Sequence, residues 1–526
     1  MPATDPKAYG SSWYAATKVA SPQRERLAVE ADVDVCVIGG GLAGLTVARE
    51  VARRGWSVVV LEAHRLAWNA SGRNTGFVLP GYAAPAPALV ARVGVDHARE
   101  LWKLSEAGAE YVRNAVRETG MPGAELSEGG WLRVSKTGDD PAVGQTVDLL
   151  AGALGATVEA WSAEQVRNVL RSPLYFNAIH HPRAFAVHPL NYALGLAADA
   201  EAAGARIYEQ TAALDLDPAG VRKRIVTQGA RVRAAHVVLA GNVHLHDLMP
   251  EVGSTLSPVF TYVITTAPLG ERLAEAIGYA GAVSDTDLAD NHYRIVDGDR
   301  LIWSGRSTVW RDSPKRYLDA LVGDIARAYP QLGPVKVEYA WTGTIGNTVH
   351  RMPQIGELSS GLWLLSGFGG HGLNTSAMGG ELIARAIVDG DRTWRAFAPF
   401  EMVWAGGRFG RVAQQAYYWS FRMNEKFDGW VARRREARRG AAEPKPMGAP
   451  EASAATEPPS IAISPEVEIG SADPPLADPP DVAPKKRRRR KKQAAVETGE
   501  VPGPAVERDV ASRDGVPVDG SAGKSG

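Results

Sequence analysis

The sequence predicts an α/β fold with a parallel sheet near the N-terminus, an antiparallel sheet in the middle and a disordered C-terminal tail. Residues 33–62 read as strand, glycine turn, helix and strand. Residues 257–339 alternate apolar and polar side chains in aromatic-rich runs, as half-buried antiparallel strands do. After Trp430 no aromatic residue occurs, and Pro, Ala, Glu and Ser dominate from about Gly440, a composition that buries too little apolar surface to fold.

The first of these segments has the spacing of a Rossmann-like, dinucleotide-binding unit. Gly39, Gly41 and Gly44 form a GxGxxG turn between the strand VDVCVI and a helix at about 42–54. The first glycine permits the tight turn, the second lets a pyrophosphate approach the backbone, and the third lets the helix pack on the sheet. The next strand, at 57–61, finishes at Glu62. The carboxylate of Glu62 accepts hydrogen bonds from ribose hydroxyls, which selects FAD or NAD over NADP.

Length, charge and cysteine content exclude several classes of protein. The 526 residues suffice for two or three domains, and 59 basic residues balance 59 acidic ones, so the whole-chain charge favours no polyanionic partner. The single cysteine, Cys36, lies in the first strand, which excludes a disulfide framework and a thiolate metal site. No HExxH or HxxxH pair occurs, so we infer no metal. The chain lacks an apolar N-terminal segment and any run of about 18 apolar residues, so we expect a cytoplasmic protein.

The loop at 64–82, HRLAWNASGRNTGFVLPGY, is rich in small and polar residues. Its backbone N–H groups and short side chains suit a second phosphate or the edge of a flavin ring. The alternative is a flexible surface loop, but the position directly after Glu62 favours the binding interpretation. Beyond the loop, the pattern predicts helices at 85–119 and 189–203 and short strands at 130–134, 206–208 and 236–240.

The antiparallel runs VFTYVITT, NHYRIV and RLIWSG would make a roof over a flavin ring. Residues 363–365 form a further strand that enters a second glycine-rich turn, SGFGGHGLNTS, followed by a helix at about 377–387. These elements predict an N-terminal arm at 1–31, a discontinuous dinucleotide-binding domain at 32–90, 180–256 and 340–390, a substrate domain at 91–179 and 257–339, a C-terminal helical arm at 391–439 and a disordered tail at 440–526.

The helical arm and the tail each allow two interpretations. Residues 394–438 resemble an amphipathic helix, either packed on the body, which we favour, or docked on a membrane surface or a partner. In the tail, Lys485 to Lys492 read KKRRRRKK, a run that attracts nucleic acid or anionic lipid without sequence readout. The alternative, which we favour, is a solvated spacer that keeps the protein soluble.

Three motifs in this order, DVCVIGGG, ASGRNTG and SGFGGHGLN, resemble those of the FAD-dependent amine and amino-acid oxidoreductases of the D-amino-acid oxidase superfamily. Within that superfamily the sequence is most similar to the γ-glutamylputrescine oxidases and the wider sarcosine oxidase and glycine oxidase group. The resemblance extends from about Tyr9 to Phe427 and implies FAD as the cofactor. Because no cysteine lies near the second glycine turn, we expect the FAD to be noncovalent. Thr75 stands where the family commonly has glycine.

The resemblance also assigns cofactor-binding residues. It places the FAD pyrophosphate at Gly39, Gly41 and Gly44 and the adenosine ribose at Glu62. The remaining positions would run beside the flavin ring or cover its ribityl chain and pyrimidine end: Ser71, Gly72, Arg73, Asn74 and Gly76 in the first group, and Gly367, Gly369, Gly370, Gly372 and Asn374 in the second.

The chemistry implied is oxidation of a small amine or amino acid at its C–N bond. A hydride passes to flavin N5, and the imine is hydrolysed to an aldehyde or keto acid. The candidate catalytic residues are Tyr262, Tyr293 and Arg294 on the strand roof, with His292 beside them, and His371 in the second glycine turn. Arg294 either clamps a substrate carboxylate or is an outward-facing strand charge.

The partners of such an enzyme are a small amine or amino acid and an electron acceptor, either oxygen or a quinone or carrier protein. The sequence does not choose between the acceptors and does not predict an oligomeric state. The alternative function is a non-catalytic or tail-led interaction protein that binds nucleic acid or an anionic surface. One observation distinguishes the two functions, namely whether any compound in a substrate screen bleaches the bound flavin.

Overall fold

A computed structural model describes residues 9–136, 141–285 and 291–420, together with Arg434 and the strand Glu468–Ile469. All of these residues belong to one compact unit within Met1–Asp478, and the second unit, Pro479–Gly526, lies outside the described residues. The predicted disordered tail, with its basic run, is therefore outside them except for Glu468–Ile469.

The α-helices are α1 Trp13–Ala16, α2 Leu42–Arg53, α3 Ala70–Arg73, α4 Ala86–Val93, α5 Val95–Thr119, α6 Pro141–Val147, α7 Ala163–Val169, α8 Pro189–Ala202, α9 Pro250–Gly253, α10 Glu271–Ala276, α11 Leu318–Ala328 and α12 Gly372–Asp389. A further helix occupies 407–420. Short turns of 3-10 helix occur at Asn242–Leu245, Pro314–Tyr317, Pro330–Leu332, Gly369–His371 and Thr393–Phe397, and a π-helical turn occurs at Asp148–Ala153.

The strands are β1 Ala31–Ile38, β2 Val58–Leu61, β3 Phe77–Val78, β4 Trp131–Val134, β5 Glu159–Trp161, β6 Ala178–His181, β7 Phe185–Ala186, β8 Arg206–Tyr208, β9 Asp215–Asp217, β10 Lys223–Val226, β11 Arg231–Leu239, β12 Ser257–Thr266, β13 Ala282–Ser284, β14 His292–Val296, β15 Arg300–Thr308, β16 Val337–Asn347, β17 Gln354–Ser359, β18 Leu362–Ser366 and β19 Glu468–Ile469.

The first sheet confirms the predicted Rossmann-like arrangement. Its order is β17-β18-β11-β1-β2-β8, and the neighbours from β18 to β8 run parallel. β2 reads VVVL and is buried along its whole length, as expected for a parallel strand covered on both faces. β10 adds to β11 in antiparallel pairing. The strand predicted at 236–240 is the second half of β11, which pairs directly with β1.

The helix α2 sits on the turn after β1 because Gly44 has no side chain. A Cβ atom there would overlap the Gly39 carbonyl, so glycine permits the close packing of helix and turn. α12 packs against both α2 and α5. The sequence predicts that residues 91–119 belong to the substrate domain, and that assignment stays a prediction; the buried stripe of α5 belongs to the same hydrophobic core as α2 and α12.

The second sheet is mainly antiparallel, as predicted, in the order β19-β16-β12-β15-β14-β13-β4-β6-β5. The exceptions among the described strands are the parallel pairs β13–β4 and β16–β19. β12 and β16 pair over almost their full lengths, from Ser257 opposite Asn347 to Thr266 opposite Val337. The predicted domain boundary at 340 therefore falls inside β16, because the whole strand is held by this pairing.

The C-terminal arm differs from the single helix predicted for 394–438. Residues Thr393–Phe397 form a 3-10 turn, 401–406 lack regular structure, and the helix begins at 407. Pro399 removes a backbone donor, and Gly406 and Gly407 have positive φ values of 80° and 53°, which no α-helix interior uses. The 407–420 helix packs through Tyr418, whereas other aromatics of this arm are exposed: Trp404, Phe409, Tyr417 and Trp419.

Candidate active site

A cavity of about 700 Å³ is lined by residues of both sheets. The first sheet contributes the carboxyl ends of β1, β2 and β11, where ligands bind in open α/β sheets. The second contributes inward-facing residues of β12, β15 and β16. We call the part of the cavity wall around Gly39, Gly41, Glu62, Ser71 and Asn242 the nucleotide end. The part formed by Trp131, Arg133, His292, Arg351 and His371 is the substrate end.

The glycine turn at the nucleotide end leaves no room for side chains. Gly39 has φ +114°, and a Cβ atom there would lie 2.8 Å from the carbonyl oxygen of Ala240. Gly41 precedes α2, and the Leu42 N–H donates to Ser71 Oγ at 3.0 Å. Because this oxygen accepts from the helix, its own proton is available for a phosphate oxygen. The helix N-terminus and the hydroxyl together make an anion-binding surface.

Glu62 lies where the sequence predicts the ribose acid. One carboxylate oxygen accepts from the Gly40 N–H at 2.7 Å and the other from the His64 N–H at 2.8 Å. Burial nevertheless raises the pKa of Glu62 to about 7, because water is excluded from the charged form. Each oxygen keeps a lone pair for a ribose hydroxyl.

Asn242 supplies a direct test of whether a ligand fits this end. It has φ 51° at the start of the 3-10 turn that follows β11, and its Oδ1 atom is buried without a hydrogen-bond partner among the described residues. A buried acceptor without a partner is costly unless a ligand donates to it. The open glycine cradle, the helix N-terminus, the acid and this acceptor fit a dinucleotide such as FAD.

Asn74 holds the loop that follows the ribose acid. Its Nδ2 atom donates to the carbonyls of Ala70 and Ser71, both at 3.0 Å, and its Oδ1 accepts from the Gly76 N–H at 2.8 Å. Asn74 and Thr75 line the cavity. Gly76 does not line it, since its Cα packs against the Val187 carbonyl.

Gly72 and Arg73 also lie outside the cavity wall. A Cβ atom at Gly72 would overlap the Ala67 carbonyl, so this glycine shapes α3. Arg73 is buried and donates to the Tyr9 carbonyl at 2.9 Å and the Thr342 carbonyl at 3.4 Å. The flavin contact of Gly72, Arg73 and Gly76 stays a prediction. In the structure the two glycines and the Arg73 guanidinium support the loop from inside the protein.

The second glycine turn reaches the cavity with Gly369, Gly370, Gly372 and Asn374. Asn374 is buried, and its Nδ2 donates to the Gly81 carbonyl at 3.1 Å. Gly367 lies outside the cavity wall. Its φ of +73° and its close approach to Thr348 give it a role in shaping the turn, and the cofactor contact at Gly367 stays a prediction.

His371 faces the cavity from this turn. Burial lowers the pKa of His371 to about 4, although a hydrogen bond with the backbone of Leu79 acts in the opposite direction and raises it. His371 Nδ1 is buried without a hydrogen-bond partner among the described residues. The ring is therefore neutral at physiological pH and presents one unused nitrogen.

His292 is a second histidine of the substrate end, oriented by a hydrogen-bond chain. Trp131 Nε1 donates to Ser284 Oγ at 2.9 Å, and Ser284 Oγ lies 2.5 Å from His292 Nδ1. Because the serine oxygen already accepts from the indole, its proton points to Nδ1, which leaves the imidazole proton on Nε2. Burial lowers the pKa of His292, so this ring is neutral as well.

Two predicted roof tyrosines lie behind the cavity wall. Tyr293 stacks on Trp303 with ring centroids 4.3 Å apart, and its hydroxyl lies 2.6 Å from that of Tyr329. The Tyr262 hydroxyl lies 3.1 Å from Thr308 Oγ1. Both tyrosines are fully buried in the core of the second sheet and neither lines the cavity, so their position does not favour the predicted substrate contact.

Arg294 is also absent from the cavity wall. It is 5% exposed, and its guanidinium donates to the carbonyls of Thr75 at 3.0 Å and Val187 at 3.1 Å. The burial of Arg294 excludes the outward-facing charge, and its two bonds to carbonyls do not favour the predicted clamp on a substrate carboxylate. A buried guanidinium must satisfy its donors, and it does so by tying β14 to the loop beside the flavin site.

Several residues of the substrate end are not predicted from the sequence. Trp131, Ser284, Arg133 and Arg351 line the cavity, but they come from a strand edge and a turn that carry no local motif. The sequence places His292 beside the strands predicted to cover the flavin, but it does not indicate the hydrogen-bond chain through Ser284 and Trp131. Pairing of β13 with β4 and β14 brings Trp131, Arg133, Ser284 and His292 together, and local spacing in the sequence does not predict such pairing.

The chain matches a family model described as DAO, FAD dependent oxidoreductase, over residues 34–386. A γ-glutamylputrescine oxidoreductase of Escherichia coli (strain K12) is 31% identical over 421 residues, which cover 78% of this chain and 98% of the relative. Together, this match and the family model show the family to which the chain belongs.

Two solved structures show the same fold. Glycine oxidase from Geobacillus kaustophilus has a TM-score of 0.59 at 21% identity and covers 71% of this chain and 99% of that one. L-Proline dehydrogenase from P. horikoshii has a TM-score of 0.60 at 17% identity and covers 71% and 96%.

Proposed function

The chain belongs to the family of FAD-dependent oxidoreductases, and from that premise we propose that it oxidises the C–N bond of a small amine or amino acid. The observation that carries the proposal is one cavity that joins a dinucleotide cradle to a pocket with two neutral histidines. Bound FAD supplies the hydride acceptor, its N5 atom. The imine product is hydrolysed to an aldehyde or keto acid.

The residues at the nucleotide end hold the cofactor without a covalent bond. The start of α2 and Ser71 receive the pyrophosphate, Glu62 accepts from the ribose, and Asn242 accepts from a donor of the ligand. Cys36, the single cysteine of the sequence, is buried inside β1 and does not line the cavity. Asn74 and Asn374 fix the two loops that enclose the flavin.

The residues at the substrate end bind the amine in its neutral form. Hydride loss from the α-carbon requires the nitrogen lone pair to form the new C=N bond, so a protonated amine does not react. His371 Nδ1 is placed to accept a hydrogen bond from the amine N–H. The apolar walls formed by Phe77, Val263 and Phe368 exclude water and keep the α-carbon near the flavin.

Anaerobic reduction of the purified yellow protein tests this function. The E. coli relative is named for γ-glutamylputrescine, so that conjugate heads a panel with putrescine, glycine, sarcosine and D- and L-amino acids. We expect at least one of them to bleach the visible flavin band, and a protein that no member of the panel reduces would refute amine oxidation. Reoxidation by oxygen or by a quinone then identifies the acceptor.

The cytoplasmic location stays a prediction from the sequence. Among the residues that the structure describes, no helix combines the length and apolar character needed to cross a bilayer.

A further inference from the structure

The 407–420 helix has one face packed on the body of the protein and the other directed to solvent. On the packed face, Gln415 Oε1 accepts from the Val309 N–H at 3.0 Å. Tyr418, three residues further along the helix, is buried against Val309 and lines the cavity. The opposite face of the helix therefore lies on the outer surface of the protein, beside a wall of the candidate active site.

The outward face of this helix is apolar. Phe409, Val412 and Trp419 are 86%, 55% and 59% exposed. Ala416, which is also exposed, completes a row with spacings of three and four residues, so these side chains lie along one side of the helix. An outward helix face normally carries charged and polar residues, whereas this one carries aromatic and aliphatic side chains.

The exposed apolar surface extends beyond the start of the helix. Trp404 is 65% exposed, and its ring lies beside Gly407, the first helical residue. We call Trp404, Phe409, Val412, Tyr417 and Trp419 the aromatic face. Among the exposed large hydrophobic residues that the structure describes, the aromatic ones are the four on this face and Trp310, which follows Val309 in the chain. Such a concentration marks an interaction site, because exposed apolar side chains are otherwise scattered singly.

The charge of the surrounding segment indicates the sign of the partner. Between residues 402 and 424 every charged residue of the sequence is an arginine, so this segment has a positive net charge whatever partners its arginines have. A second copy of the chain would bring equal charges together, which disfavours self-association through this face. The later segments VARRREARR at 431–439 and KKRRRRKK at 485–492 are basic as well, so charge also disfavours them as a cover for it.

We propose that the aromatic face binds the surface of an anionic phospholipid bilayer. Phe409, Val412 and Trp419 enter the boundary between head groups and acyl chains, the depth at which surface helices bury their apolar side. Tyrosine and tryptophan favour that boundary because each ring is apolar and carries one polar atom. The positive segment is attracted to the negative head groups. The protein thus rests on one leaflet, with the cavity wall that contains Tyr418 next to the bilayer.

Cosedimentation of the FAD-loaded full chain with vesicles tests the proposal. Mixed phosphatidylcholine–phosphatidylglycerol vesicles are compared with vesicles of phosphatidylcholine alone, and we expect binding to the neutral vesicles to be weaker by about tenfold or more. The double variant Phe409→Ser/Trp419→Ser keeps every charge but removes two aromatic side chains from the bilayer contact. It should bind mixed vesicles about 10–100-fold more weakly than the parent.

Val221→Ser is the matched control, because Val221 is as exposed as Phe409, at 86%, but lies in the turn between β9 and β10. It should bind vesicles as the parent does. The basic run at 485–492 also attracts anionic vesicles, but by charge alone. Vesicles with brominated acyl chains separate the two contacts, since bromine quenches only indoles that reach the chains. We expect tryptophan quenching in the parent, and less of it in Phe409→Ser, although that change removes no indole.

Several results would overturn the proposal. A parent that does not bind mixed vesicles has no such surface, and equal binding by parent and double variant without tryptophan quenching would assign the binding to the basic run alone. Self-association without lipid that the double substitution abolishes would make the aromatic face a contact between two copies of the chain. A lower melting temperature or loss of FAD in the double variant would show that the rest of the chain covers this face.

Discussion

The nucleotide end and the substrate end of the cavity are built from the chain in different ways. At the nucleotide end, one βαβ unit between Ala31 and Glu62 supplies the glycine turn, the helix start and the carboxylate of Glu62. At the substrate end, the residues come from segments that are far apart in sequence, from Trp131 to His371. We therefore expect two kinds of effect from substitutions. Changes at the nucleotide end should affect FAD retention, and changes at the substrate end should affect flavin reduction.

The largest effect is expected at Gly44. Because a methyl group there overlaps the Gly39 carbonyl, Gly44→Ala should abolish FAD retention and lower the free energy of unfolding by about 1–3 kcal/mol. Gly144→Ala is the control, since a Cβ atom at that exposed helical position contacts nothing within 4 Å. FAD content after gel filtration and thermal unfolding measure the two effects. Parental FAD content in Gly44→Ala would show that the turn does not need this glycine.

Glu62 should have the next largest effect. Glu62→Gln loses a charged acceptor, so FAD affinity should fall by about 1.5–3 kcal/mol. In the apoprotein the pKa of Glu62 is raised to about 7 by burial, and ribose hydroxyls favour the ionised form. FAD binding should therefore release a proton below pH 7, and affinity should rise with pH up to about 7 and then level off.

Titration of apoprotein with FAD between pH 5.5 and 8.5 checks this dependence, which should be absent in Glu62→Gln. A parent whose affinity falls as the pH rises through 7 would contradict the assignment of Glu62.

A smaller effect, confined to reduction, is expected at His371. Removal of one hydrogen bond to the amine costs about 0.5–1.5 kcal/mol, so His371→Ala should slow anaerobic reduction by up to about tenfold while FAD affinity stays close to the parent's. The pKa of His371 is lowered to about 4, so its titration should not shape the rate profile above about pH 5. Stopped-flow absorbance gives the rate at saturating amine, and an unchanged rate would exclude His371 from amine contact.

The smallest effect on rate is expected at Tyr293, which lies behind the wall. Tyr293→Phe leaves the Tyr329 hydroxyl without its 2.6 Å partner, so the free energy of unfolding should fall by about 1–3 kcal/mol. The reduction rate should match that of the parent at a temperature where both are folded. Denaturant unfolding and stopped-flow reduction measure the two quantities, and a slowed reduction with unchanged stability would return Tyr293 to the active site.

The sequence was most informative where one local pattern determines the geometry. The predicted helix at 42–54 and strand at 57–61 match α2 and β2 to within one residue at each end, because the glycines and the strand pattern act within one segment. The second glycine turn was located correctly, and its helix proved longer, starting at Gly372.

Prediction was weaker where tertiary packing decides the role of a side chain. Arg294 lies on a strand whose residues alternate as expected, but its guanidinium is consumed by two carbonyls of neighbouring segments. Tyr262 and Tyr293 carry the aromatic pattern of a roof, yet the same pattern describes a core. Arg351 has no local signal, because only the folded chain brings it into the cavity wall.

Reduction of variants at full FAD occupancy is the most direct test of the division between the two ends. Glu62→Gln and His371→Ala are each reconstituted with saturating FAD and mixed anaerobically with the best amine of the panel. We expect Glu62→Gln to be reduced at the parental rate once it is loaded with FAD, and His371→Ala to be reduced more slowly despite full loading. A slow, fully loaded Glu62→Gln beside a parental His371→Ala would contradict it.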